Sequence, residues 1–94
     1  MDFVTLINIL EDDLTRDCIV YKSSNNMQKT ATYHSLSDFQ IVVNSNCNIS
    51  KVNQIFFIQN DNDLLVYFEK LLDNEVRDYE VYNINEISSL EVMS

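Results

Sequence analysis

Few side chains in this chain of 94 residues could do chemistry, and they are badly spaced for it. His34 is the only histidine, and it would need a nucleophile and an orienting partner to act as a general base. Cys18 and Cys47 are the only thiols; they have no CxxC spacing, and nothing in the sequence brings either to His34. Cys18 falls in a β-like run, where a free cysteine behaves as a small hydrophobe. One histidine and two distant cysteines do not build a zinc site. Asp61-Asn62-Asp63 resembles the opening of a calcium loop. The positions that should then hold glycine and glutamate hold Val66 and Leu72, so capping of a following helix explains it better. No catalytic residue, metal ligand or cofactor is expected, and the chain is read as a non-enzyme.

The carboxylates are the main signal. Glu69, Asp73, Glu75, Asp78 and Glu80 fall within one short stretch, interleaved with Tyr67, Tyr79 and Tyr82. Glu11, Asp12 and Asp13 form a second acidic cluster, at the C-terminal end of an expected helix, where the macrodipole disfavours negative charge. Most charge runs are solvated faces. The sharper reading is a recognition surface, with tyrosine anchors and acidic steering toward a partner rich in lysine and arginine. Carboxylates on a rigid scaffold can also imitate the phosphates of nucleic acid, spaced about 3.4 Å along each strand.

Net charge sharpens this reading. The chain carries −9, distributed as −4 over residues 1–17, +2 over 18–60 and −7 over 61–94. Direct nucleic-acid binding is not expected, because it depends on cations displacing counterions. Lys22, Lys29 and Lys51 with Tyr21 and Tyr33 could in principle stack bases on a sheet. Three lysines within so acidic a chain make a poor electrostatic funnel.

Composition bounds the rest. A hydrophobic fraction of 46% with ten aromatic residues can build a core, so one acidic domain over 1–94 is expected. No apolar run is long enough to span a membrane, and Met1-Asp2 opens without a basic stretch, so a cytoplasmic protein is expected. Glycine and proline are both absent. That removes the phosphate-binding loop, the dinucleotide fingerprint and the nucleophile elbow together. Turns must then be made by asparagine, aspartate and serine, and twelve asparagines supply them.

The elements that would position these residues follow from periodicity. Phe3, Leu6, Ile7, Leu10 and Leu14 make one helical stripe that Asp2 can cap. Residues 18–22 and 27–35 read as a hairpin around an Asn-rich turn, 39–43 as a third strand, 44–48 as a loop and 52–59 as a fourth strand. Leu64, Leu65, Tyr67, Phe68, Leu71 and Leu72 fit a helix over 64–73, with a strand as the competitor. Residues 79–84 read as a last strand, and 87–92 as a short strand or final turn. The expected fold class is α+β, an antiparallel sheet of four to five strands with two helices on one face, in the order α-β-β-β-β-α-β.

The function expected is a small interaction module that inhibits or regulates a basic, nucleic-acid-binding protein, of the kind that phages or mobile elements encode as nucleic-acid mimics. A structural or homo-oligomeric subunit is the alternative, with residues 55–58 or 64–72 as the self-interface.

Overall fold

The structure is a computed structural model that describes residues 1–12, 18–23, 29–34, 37–72 and 76–93, with 18–23, 29–31 and 60 described by backbone alone. Helix α1 (Phe3–Glu11) begins where expected: the Asp2 carboxylate accepts a hydrogen bond from Thr5 N at 2.7 Å and caps it. It buries Phe3, Leu6 and Leu10, one side of the stripe read from the sequence. Leu14, the last position of that stripe, and Asp13 lie outside the described residues.

Among the described residues eight strands follow: β1 (Cys18–Ser23), β2 (Lys29–His34), β3 (Asp38–Val43), β4 (Asn46–Lys51), β5 (Gln54–Asn60), β6 (Asp63–Leu71), β7 (Arg77–Asn83) and β8 (Ile87–Met93). They form two antiparallel sheets instead of one. The larger has the order β1-β2-β5-β6-β7, and the smaller β4-β3-β8. The class is α+β, but the described residues hold one α-helix, not two; a 3-10 turn at Ile84–Glu86 precedes β8. In that turn Asn83 Oδ1 accepts from Asn85 N at 3.0 Å, and Glu86 Oε1 accepts from Asn83 N at 3.0 Å.

The expected helix over 64–73 is strand β6, and the reason is physical. Leu64, Val66 and Phe68 are buried in the core, while Leu65 and Tyr67 between them are half-buried on the other side. A strand that is apolar on both faces satisfies the helical spacing as well as its own. Pairing with β5 from Gln54↔Glu69 to Asn60↔Asp63, and with β7 from Leu65↔Asn83 to Leu71↔Arg77, decides for strand. Asp61-Asn62 is therefore a two-residue hairpin turn and caps no helix. Asp61 takes φ 52°, and Gln59 Nε2 donates to the carbonyls of Asp61 and Asp63 at 2.9 and 3.1 Å. The expected loop over 44–48 also resolves differently. Asn44 (φ 48°) and Ser45 (φ 68°) make a two-residue turn, left-handed at both positions, and β4 begins at Asn46.

The hairpin of β1 and β2 is present, with Cys18↔His34 through Ser23↔Lys29 in register. β8 is a full strand and pairs with β3 across a bulge at Val42/Val43. α1 and the smaller sheet both pack on one face of the larger sheet. Phe3 of α1 meets Phe57 of β5 edge to face at 5.2 Å, and Phe39 of β3 meets Tyr33 of β2 at 5.9 Å. Ile41, Val43, Val52, Ile55, Leu64, Val66, Phe68, Ile84, Ile87 and Leu90 belong to the same core. Among the described residues, no helix is long and apolar enough to cross a membrane.

Candidate functional site

Strand alternation decides where the tyrosines and carboxylates of 67–82 go, because successive side chains point to opposite faces. Tyr67, Glu69 and Tyr79 lie on the face of the larger sheet that points away from α1 and the smaller sheet. Asp78, Glu80 and Tyr82 lie on the inner face, with Lys70. The interleaved run is thus one stretch of chain but two surfaces. Glu11 and Asp12 are exposed at the end of α1, in the layer that covers the inner face. Asp73 and Glu75 lie outside the described residues, as does Asp13. Among the described residues, the carboxylates and tyrosines of 67–82 are divided between the two faces of the larger sheet.

The inner-face group is committed to the fold. Lys70 Nζ is 2.9 Å from Glu80 Oε1, and the Tyr82 hydroxyl donates to Glu80 Oε2 at 3.3 Å. The hydrogen bond to Glu80 raises the Lys70 pKa above its ordinary value against a smaller opposing effect of burial. Burial, then the negative charge of Glu80, raises that of Tyr82.

The outer face has a different character. Phe56 and Tyr67 stack in parallel at 4.9 Å across β5 and β6, and Tyr79 stands edge-on to Phe56 at 6.0 Å. Around these rings Ile58, Leu71, Tyr79 and Val81 are each more than two-fifths exposed. We call this the open face. A contiguous exposed apolar group on a small chain marks a contact surface more often than scattered single residues do.

Within the open face Glu69 is buried, its side chain only 2% exposed, while Arg77 beside it is 67% exposed. Arg77 Nε lies 3.1 Å from Glu69 Oε1. The separation makes an ion pair, but the N–H does not align on the oxygen, which has no hydrogen-bond partner among the described residues; the attraction is Coulombic. Arg77 was not among the residues singled out from the sequence, and Phe56 entered only within the alternative self-interface of residues 55–58. Reading 64–71 as a strand and projecting its neighbours onto one face would have brought the two together.

Other expected positions separate clearly. His34 is half-buried on β2, opposite Gln54 in the larger sheet, whereas Cys47 is free and exposed on β4 in the smaller one. Tyr33 is buried, so it offers no ring for base stacking, and Lys51 belongs to the other sheet. The described residues hold no group of three or more histidine, cysteine or acidic side chains placed for a metal. No protein-family model, curated protein or solved structure matches the chain, so its own residues carry the functional reading.

Proposed function

We propose that the protein is a small, non-catalytic interaction module that binds a basic protein through the open face of its larger sheet. The observation that carries this reading is the Phe56–Tyr67–Tyr79 group, stacked yet solvent-facing, with Ile58, Leu71 and Val81 around it. Large rigid rings at the centre of a patch, with polar residues at its border, are what alanine scans find at the energetic centre of interfaces. The net charge of −9 adds long-range attraction for a positively charged partner. It also disfavours a second copy of the chain as the occupant, since two such copies repel. Basic surfaces of that kind belong above all to nucleic-acid-binding proteins, which this chain would block or regulate. The aromatic centre gives the contact its energy, and the carboxylates give it rate and selectivity; imitation of phosphate spacing is not required.

The test is binding of proteins recovered from host lysate, each then purified and measured by calorimetry against the wild-type chain and a Tyr79→Asp/Val81→Asp variant. Both positions are more than two-fifths exposed, and circular dichroism checks that the variant is folded. Affinity for the true partner is expected to fall by about tenfold or more in the variant, the scale of losing a hot-spot residue. It is also expected to weaken as salt rises. Equal affinity for both chains would refute the open face as the contact. A wild-type dimer in sedimentation whose strength does not change with salt would favour self-assembly instead.

A further inference from the structure

Glu69 poses the question. A carboxylate on an exposed sheet face would ordinarily reach water, and burying it is unfavourable unless a cation compensates. Its described cation is Arg77, which contacts Oε1 through Nε, the inner atom of the guanidinium. The rest of the Arg77 head is solvent-facing, and neither terminal amino group has a partner among the described residues. Arg77 is also the only lysine or arginine on the open face whose side chain is described. Among the described residues the guanidinium is thus tethered at its inner edge and has no partner at its outer one, beside Tyr79, two residues along the same face.

We propose that Arg77, positioned by Glu69, is the anchor on the open face for a carboxylate side chain of the partner protein. A guanidinium offers two parallel N–H groups that match a carboxylate, and tethering it beforehand reduces the entropy lost on binding. The occupant is a protein carboxylate, not a phosphate chain, because a polyanion would be repelled by the −9 of the molecule. A single acid set among cations is drawn in by the acidic surroundings and then placed by Arg77. The partner surface is therefore an aspartate or glutamate flanked by apolar and basic residues. This inference rests on the open face being the contact, as proposed above.

The test uses fragments that carry one ring and one charge. Benzoate, benzamide and benzylammonium are titrated at fixed ionic strength into the ¹⁵N-labelled chain, following the Arg77 Nε–H signal and the amides of β6 and β7. Benzoate is expected to bind with a Kd on the order of millimolar, the scale for so small a ligand. The other two should bind about tenfold more weakly, the worth of one charge-assisted hydrogen bond. Arg77→Ala should abolish benzoate binding and Arg77→Lys should restore only part of it. In Glu69→Gln the Nε–H signal should broaden before any ligand is added, and benzoate should bind several-fold more weakly. Should that variant not fold, the two Arg77 variants decide alone. Benzylammonium binding as well as benzoate, benzoate binding that ignores Arg77→Ala, or a single-stranded oligo-dT preferred at this face would each overturn the anchor. Benzoate failing while partner binding still needs Tyr79 and Val81 removes the anchor and leaves the interaction reading. Loss of the Tyr79 and Val81 requirement removes that reading itself.

Discussion

Tyr33 packs its ring against Phe39 in the core, yet its hydroxyl is buried without a hydrogen-bond partner among the described residues. An orphaned hydroxyl forfeits the bonds it made to water, and only the ring repays that loss. Tyr33→Phe keeps the ring and removes the stranded oxygen. The urea midpoint of this variant is expected to stay level or rise, with a gain of up to about 1 kcal/mol; a loss of that size would mean the hydroxyl is satisfied after all. Phe57→Ala should behave in the opposite way. It deletes a fully buried ring and its contact with Phe3, at a cost of about 3–5 kcal/mol. The two substitutions separate what an aromatic core residue contributes by its ring from what its polar atom costs.

Turns show how a chain without glycine still closes tight hairpins. Asn44 and Ser45 both adopt left-handed backbone, and Asp61 does so alone. Asparagine and aspartate tolerate that region better than serine. Ser45→Gly should therefore raise stability by about 0.5–1 kcal/mol in thermal melts, because relief of the left-handed penalty outweighs the entropy glycine loses on folding. No gain would show that the serine side chain supports the turn. The same elements mark what could be read in advance. α1 was legible because its stripe has one apolar side and a capping aspartate. β3 and β5 were legible from β-branched density. β6 was not, since Leu65 and Tyr67 are apolar on the open face as well and erase the alternation that identifies a strand. β4 was hidden for the opposite reason: Asn46-Cys47-Asn48 is polar enough to read as loop, though it forms an edge strand. Of the candidate site, Tyr67 and Tyr79 were found by residue type. Their separation from Glu80 and Tyr82 was not, because it depends entirely on strand register.

For the molecule as a whole, acidity sets the response to solvent. Repulsion within a −9 chain opposes compaction at neutral pH, and added salt screens it. At high pH two groups act with the same sign. Lys70, held protonated by Glu80, stabilises the fold fully below its ordinary value of 10.5, and that contribution is lost as pH climbs through its raised folded value. Tyr82 has an ordinary value of 10.0 and a raised one in the fold, so the unfolded chain releases this proton first. Above about pH 10 the native state thus binds more protons than the unfolded one, and stability must fall. Denaturation midpoints followed from pH 8 to 12 should decline across that window, and Glu80→Gln should flatten the decline. An unchanged slope in Glu80→Gln would show that other groups govern it.

The pairing of β3 with β8 brings a further result. These strands lie side by side in the smaller sheet, yet all of residues 44–86 come between them. A nascent chain emerging from the ribosome can assemble β5, β6 and β7 from neighbouring segments, but β3 must wait for the last strand to be synthesised before it gains its second neighbour. Closing so long a loop is entropically slow. The larger sheet should consequently form early with one hydrophobic side still bare, and a protease that clips the β8 segment would strip that layer's central strand of half its support.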